Sequence, residues 1–339
     1  MTRRKLLFAI VIGLIPLASC AAPRIIEGGI VPYPSIGRTE LQPAGRIWIS
    51  ISDPITGGQS GIAAINHGAG FWMVSDRGTL TKATAKRDPD GTLIGMELVR
   101  TYDLRQRGED TYITQMRNDA EDLAWGAKGQ LYVSFEGYAQ VAELMGDGMA
   151  RHNLIDDDIF VRARGNKLFE ALAPLPDGSL LAITEDRPDL DVLELFEISG
   201  SLAPDETSIP VVRVWPRHLR PDGFVMLTSG GWVPVDPGWD ISGADSADDG
   251  SVWILERSIG FLGFSSRIRR FPLGENGLPD WQSGQVMLET RPGDLGNMEG
   301  LTLWRPEGGG PQHLTLVSDN DNSSFRTTLV AEYIWPDAR

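Results

Sequence analysis

Five segments of the sequence share one pattern: a polar opening, a hydrophobic run, a turn with glycine, a second hydrophobic run and an acidic end. Two hydrophobic runs joined by such a turn indicate a β-hairpin. Each copy begins 49 to 72 residues before the next one, which leaves room for four strands and their loops. The copies run from Ser60 to Asp76, Glu121 to Glu136, Glu170 to Glu185, Ser242 to Glu256 and Glu299 to Asp319.

Repeats of this length predict an all-β fold, a β-propeller with one blade for each hairpin copy. No amphipathic helix longer than two turns is apparent in the sequence, which agrees with an all-β chain. The strand near Ile47 and the strand from Thr328 to Ile334 could share a closing blade, so the sequence predicts five or six blades. Residues 45–339 are predicted to form one domain.

The third copy is the clearest, because Asp177-Gly178 is a typical two-residue hairpin turn. Mirror pairing about this turn places Glu170 directly opposite Glu185. Two facing carboxylates repel each other unless a cation lies between them. In a propeller the first strand of each blade begins where its second strand ends, so these carboxylates are predicted to surround one mouth of the central channel.

Clustered carboxylates without His or Cys favour calcium or magnesium over zinc, and calcium is the predicted cofactor. An alternative stays open, in which the carboxylates accept hydrogen bonds from backbone amides of the adjacent blade and join the blades without a metal. The predicted metal ligands are Asp76, Glu121, Glu136, Glu170, Glu185, Glu256, Glu299 and Asp319.

Two arginines directly follow acidic ends of the hairpin copies: Arg77 follows Asp76, and Arg257 follows Glu256. At the mouth a guanidinium could bind a carboxylate or phosphate in bidentate fashion, so both arginines are predicted catalytic residues. The alternative is that they only neutralise the neighbouring carboxylates. The sequence has no zinc-protease, nucleophile-elbow, phosphate-loop or dinucleotide-binding motif.

The N-terminus predicts export, because a basic start and a short apolar stretch make residues 1–19 typical of a signal peptide. Leu17-Ala18-Ser19-Cys20 resembles a bacterial lipobox, and Cys20 is the predicted lipid attachment residue and the only cysteine of the chain. Ala21 after it favours the outer membrane, with the protein on its periplasmic side. General or twin-arginine export both stay open. Residues 20–44 are predicted to be a tether.

The charge of the chain argues against one class of partner. The formal net charge is −15, and it becomes −18 once the three basic residues of the signal peptide are removed. A chain this acidic is a poor candidate for binding nucleic acid, whose phosphates need Lys and Arg. We expect a monomer that touches the membrane only through its N-terminal lipid.

Several motifs together resemble one known family. They are Ser75-Asp76-Arg77-Gly78, Glu121-Asp122-Leu123-Ala124, Phe169-Glu170-Ala171-Leu172-Ala173 with Pro176-Asp177-Gly178, Leu255-Glu256-Arg257-Ser258, and Asn297-Met298-Glu299-Gly300-Leu301 with Ser318-Asp319-Asn320. In this order they resemble the phytase-like family, also called "esterase-like activity of phytase", of exported bacterial propellers. The chain departs from the family pattern at Asp122, where Gly is usual, and at Ser242, where Glu is usual.

The resemblance implies a propeller, an exported location and hydrolysis of phosphoesters or esters. The first predicted function is therefore a lipid-anchored, metal-dependent hydrolase of a small anionic phosphoester or ester. In it the carboxylates hold the cation, and Arg77 or Arg257 stabilises the developing negative charge. The alternative function is a non-catalytic propeller that binds a ligand or an envelope protein through the same mouth.

Overall fold

The computed structural model describes residues 24–25, 28–31, 33, 37–49, 57–106, 119–136, 140–153, 168–185, 207–221, 225–320 and 327–336. The predicted signal peptide and Cys20 lie outside these residues. Among the described residues, no helix is long and apolar enough to cross a membrane.

The described strands form five sheets around a common axis, which confirms the predicted all-β propeller and makes the number of blades five. The N-terminal strands are β1 (Arg24–Ile25), β2 (Gly28–Ile30), β3 (Arg38–Thr39) and β4 (Gln42–Ile49). Blade I contains β5 (Gln59–Ile65), β6 (Gly70–Ser75), β7 (Thr79–Arg87) and β8 (Leu93–Asp103). Blade II contains β9 (Arg105–Gln106), β10 (Ala120–Trp125), β11 (Leu131–Phe135), β12 (Gln140–Leu144) and β13 (Met149–Asn153).

The other three blades follow in chain order. Blade III contains β14 (Phe169–Pro174), β15 (Leu180–Thr184), β16 (Ser208–Trp215) and β17 (Met226–Pro234). Blade IV contains β18 (Asp240–Ser246), β19 (Val252–Gly260), β20 (Gly263–Phe271) and β21 (Gln285–Glu289). Blade V contains β22 (Asn297–Trp304), β23 (Gln312–Asp319) and β24 (Thr328–Trp335).

Blade V is completed by the other end of the chain. Strand β4 pairs with β24, so that Ile47 lies opposite Val330, and β2 adds to the outer edge of β4. The predicted sharing of a closing blade is thus confirmed. In the segment interpreted as a tether, β1 pairs with β8 of blade I and β3 pairs with β21 of blade IV. The described parts of this segment therefore lie along the outer edges of three blades.

The hydrophobic core is divided among the five interfaces between neighbouring blades, each of which holds one cluster of buried side chains. Both faces of a blade are covered by its neighbours, so the inner strands are apolar on both faces rather than alternating. Large aromatic side chains fill these interfaces, and Trp253 is fully buried between blades IV and V.

The first strands of the five blades, β5, β10, β14, β18 and β22, pack on one another around the axis. Glycine allows the closest approaches. A Cβ atom on Gly61 would lie 2.7 Å from Cα of Asp122, and one on Gly243 would lie 2.4 Å from the carbonyl oxygen of Glu299. We call the end of the axis at which the first strands begin, and the second strands end, the mouth.

Candidate functional site

All five first strands slip in register near the mouth, and a polar residue lies at each slip. A β-bulge of this kind re-aims a side chain out of the regular alternation. The bulges explain how polar residues occur in strands that are otherwise buried on both faces. The bulge positions are Ser60, Glu121 with Asp122, Glu170, Ser242 and Glu299.

The predicted direct pairing of Glu170 with Glu185 is wrong. The hairpin of β14 and β15 closes through Leu175 and Ser179, so its loop has three residues instead of two. Glu170 is the extra residue of the bulge, and the backbone N–H of Glu185 donates to the carbonyl oxygen of Leu168 at 3.0 Å. The three-residue loop and the bulge shift the pairing in the same direction, which places Glu185 opposite Leu168, yet both carboxylates contact Arg257 at the mouth.

A second set of equivalent positions lies one residue pair beyond each bulge, at the open end of the hairpin. The backbone N–H of Asp76 donates to Gly58, and that of Glu136 donates to Asp119. In blades IV and V the equivalent pairs are Asp240 with Arg257 and Asn297 with Asp319. Four blades therefore present a carboxylate at this position: Asp76, Glu136, Glu185 and Asp319. Blade IV presents Arg257 instead.

Glu256, a predicted metal ligand, is not at the mouth. Consecutive strand residues face opposite sides of a sheet, so Glu256 faces away from the side of Arg257. Its fully buried carboxylate Oε2 accepts hydrogen bonds from Nε of Arg267 at 2.7 Å and Nε of Arg269 at 2.9 Å. The spacing in the sequence carried this signal. Glu121 to Glu136, Glu170 to Glu185 and Ser242 to Arg257 all span 15 residues.

Arg257 contacts carboxylates of blades III and V at the mouth. Its Nη2 is 3.2 Å from Oε1 of Glu185 and 3.7 Å from Oε1 of Glu170, and its Nη1 bonds to Glu299. Burial alone would lower the pKa of Arg257, but the carboxylates of Glu299, Glu170 and Glu185 together raise it. The cation that the facing carboxylates require is thus supplied, in part, by the chain itself.

Arg77, the other predicted catalytic residue, is exposed in the turn between β6 and β7. Its backbone N–H donates to Oγ of Ser75 at 3.2 Å. Of the two arginines, Arg257 is the one that contacts carboxylates from two other blades.

Blade II carries the most compact group of carboxylates. Ligand oxygens of Asp119, Glu121 and Glu136 all lie within 4.8 Å of one another, an all-oxygen set that is compatible with a hard metal ion. Burial raises the pKa of Glu121 well above its ordinary value, and the neighbouring carboxylates of Glu170 and Glu299 raise it further. Asp119 was missing from the prediction. Asp119 directly precedes β10, the first strand of blade II. It corresponds in position to Asp240 of blade IV and Asn297 of blade V.

The carboxylates of blade V also hold their protons unusually strongly. Burial raises the pKa of Asp319 to about 7, and the charges of Glu299 and Asp76 contribute to the shift. Burial likewise raises the pKa of Glu299 to about 7, although Arg257 and a 2.7 Å hydrogen bond from Nδ2 of Asn297 oppose it. The mouth therefore has more negative charge than Arg257 neutralises, and near pH 7 it can take up protons or a cation.

Two aspartates that were not among the predicted metal ligands accept hydrogen bonds from backbone amides of other blades. Asp122 Oδ2 accepts from the N–H of Leu172 at 2.9 Å and from that of Ala244 at 3.1 Å, which joins blade II to blades III and IV. Asp245 Oδ2 accepts from the N–H of Leu303 at 2.8 Å and joins blade IV to blade V. The alternative role proposed for the mouth carboxylates is thus performed by Asp122 and Asp245. The unusual Asp122 in the family pattern was the available signal.

A cavity of about 370 Å³ gives access to Arg257 between blades IV and V. Its lining combines charged and amide groups with two apolar side chains. Its lining residues are Asp240, Arg257, Ile259, Phe264, Asn297 and Glu299.

Residues 54–322, more than half of the chain, match the family described as "Phytase-like: Esterase-like activity of phytase". The chain belongs to the phytase-like family. The phytase-like match contains every residue placed at the mouth, from Asp76 to Asp319.

No curated protein matches the chain in sequence. Among solved structures, a gluconolactonase from Xanthomonas campestris is 13% identical, and the alignment covers 91% of this chain and 98% of that one with a TM-score of 0.44. A luciferin-regenerating enzyme is 12% identical, with 82% of this chain and 92% of that one covered and a TM-score of 0.42.

Proposed function

We propose that this phytase-like protein is an exported, lipid-anchored hydrolase that uses a divalent cation, calcium in the first instance, to cleave a small anionic phosphoester or ester. Membership of the phytase-like family supports the reaction class. One observation carries the proposal for this chain: an arginine and an excess of carboxylates from four blades share a mouth that a cavity reaches.

The residues divide the work as follows. Asp119, Glu121 and Glu136 would hold the cation, because three close carboxylates without His or Cys suit a hard ion. A bound cation there supplies Lewis acidity toward a phosphoryl or carbonyl oxygen. Arg257 orients Glu170, Glu185 and Glu299 and stabilises negative charge that develops beside it.

Glu299 is placed to move a proton. It lines the cavity, and its pKa of about 7 lets it accept or release a proton near neutral pH. A water molecule in the cavity would lose its proton to Glu299 as it attacks the substrate.

The proposed location is the periplasmic side of the outer membrane, with lipid on Cys20 after removal of residues 1–19. The lipobox-like sequence supports it. The first described strand begins at Arg24, so a chain that starts at residue 20 contains every described strand.

The test uses residues 20–339 with Cys20→Ser, assayed on p-nitrophenyl phosphate and p-nitrophenyl acetate with calcium or with a chelator. Calcium-dependent turnover that falls at least tenfold in Glu121→Gln is expected. Glu97→Gln, on the outer part of blade I, is the matched control and should retain the parent's rate. Turnover that is the same with chelator and in Glu121→Gln would contradict the proposal.

A second function is favoured by the position of Arg257. This arginine already pairs with three carboxylates, so part of the negative charge of the mouth is neutralised without a metal ion. Such a mouth could bind a ligand or an envelope protein without catalysis. No turnover on either ester, together with a melting temperature that calcium leaves unchanged, would support this binding function over hydrolysis.

A further inference from the structure

The hairpin of β19 and β20 is longer than the strand beside it. Strand β18 ends its pairing with β19 at Asp240 and Arg257, whereas β19 and β20 continue to pair as far as Gly260 and Gly263. Three further residues of extended chain span about 10 Å. The tip of this hairpin therefore projects beyond the mouth of blade IV.

The projecting tip is apolar and exposed. Ile259 is 72% exposed, Phe261 103% and Leu262 73%. The other exposed large hydrophobic residues of the described part of the chain lie on blades I, II and V and are less exposed than Phe261. Adjacent exposed apolar side chains on one protruding turn are typical of a surface that is covered by a partner.

The direction of strand β1 indicates which kind of partner covers the apolar tip. Strand β8 runs toward the mouth, because its last residue Asp103 pairs with Thr79 at the start of β7, just after the mouth residue Asp76. Strand β1 is antiparallel to β8, with Arg24 opposite Leu98 and Ile25 opposite Glu97. Arg24 is therefore the end of β1 that lies nearer the mouth.

Cys20 lies only four residues before Arg24 in the sequence. A lipid on Cys20, which is part of the proposed function, would thus hold the mouth side of the propeller close to a bilayer. The apolar tip projects from that same side.

We propose that the tip of the β19–β20 hairpin, residues 259–262, inserts into a lipid bilayer and turns the mouth toward the membrane surface. Ile259 belongs to the tip and also lines the cavity beside Arg257, together with Phe264. An amphiphilic molecule in the bilayer would therefore reach the mouth along a continuous apolar surface. Insertion of exposed aromatic and aliphatic side chains gives binding in proportion to the apolar area buried.

The experiment uses residues 20–339 with Cys20→Ser and vesicles of phosphatidylethanolamine and phosphatidylglycerol, with chelator present and no substrate. The parent should sediment with the vesicles. The double variant Phe261→Asp with Leu262→Asp should lower the affinity for vesicles by about tenfold or more, since two apolar side chains are lost. Met145→Asp is the matched control, because Met145 is 45% exposed at a hairpin turn on the opposite end of the propeller.

A second measurement locates the contact. In the Cys20→Ser chain, Leu262→Cys creates a single thiol that can carry an environment-sensitive dye, with Met145→Cys as the control. A blue shift of the dye on vesicles at position 262, and none at 145, is expected. No sedimentation of the parent, equal affinity of the double variant, or no shift at 262 would overturn the proposal. Because neither measurement requires turnover or calcium, a failure of the hydrolase proposal would leave these results interpretable.

Discussion

Glu256 and Arg257 are neighbours in β19, yet they belong to two ionic clusters that differ in their balance of charge. On one face of blade IV, the carboxylate of Glu256 binds two arginines and is fully buried. On the other face, Arg257 binds three carboxylates beside a cavity. The first cluster is balanced, because Asp236 also binds Arg267, whereas the second has anions in excess. The comparison teaches that charge alone does not mark a site: the mouth differs in having uncompensated charge within reach of a ligand.

The largest expected effect comes from the Glu256 cluster. Glu256→Gln leaves Arg269 buried without its carboxylate and leaves Arg267 with Asp236 alone, and removal of one partner of a buried pair costs about 3–5 kcal/mol of unfolding free energy. Urea denaturation checks this. Glu97→Gln, which removes a partly exposed ion pair with Lys86, should cost about 0–1 kcal/mol. Equal losses in the two variants would show that Glu256 is not a structural anchor.

A smaller effect is expected from Arg257→Met. At pH 8 the carboxylates of Glu170, Glu185 and Glu299 lose their shared cation, and we expect the free energy of unfolding to fall by about 2 kcal/mol. Calcium should restore part of this loss if the mouth binds it, because a ligand of the folded state stabilises that state. Arg77→Met is the control and should change stability by less than about 0.5 kcal/mol. A calcium response that is weaker in Arg257→Met than in the parent would contradict this view of the mouth.

The remaining effect is a dependence of stability on pH. Glu299 and Asp319 have pKa values of about 7 in the folded protein, above the ordinary carboxyl range of the unfolded chain. The folded state therefore binds more protons between about pH 4 and 7, and the stability from these two groups is lost as the pH rises through 7.

Glu299→Gln should flatten this slope in melting curves recorded from pH 5 to pH 8 with chelator. A variant slope identical to that of the parent would show that Glu299 does not titrate in this range.

Much of the fold follows from local pattern. The hydrophobic runs and glycine turns of the five copies predict a hairpin in every blade, and the strands near Ile47 and Thr328 predict the closing blade. Each of these patterns occupies only about ten residues of sequence, so it can be recognised without the tertiary structure. Convergence of Asp76, Glu121, Glu136, Glu170, Glu185, Glu299 and Asp319 at one mouth was also predictable, since equivalent ends of repeated hairpins lie on one side of a propeller.

The details of pairing were less accessible. A shift of one residue turns a side chain to the other face of a sheet, so the choice between Glu256 and Arg257 required the bulge at Ser242 to be placed correctly. In the hairpin of Glu170 and Glu185 the three-residue loop and the bulge shift the pairing in the same direction, and the sequence pattern does not separate the two contributions.

By itself the sequence determined the all-β repeat, the closure of the ring by both chain ends and the acidic character of the mouth, because each depends on residue types at regular spacing. Only the tertiary structure decided that Asp122 joins three blades and that the tip at Phe261 projects past the mouth. These features depend on which side chains from distant repeats meet at the axis. That is a property of register and packing between blades, and no single repeat contains it.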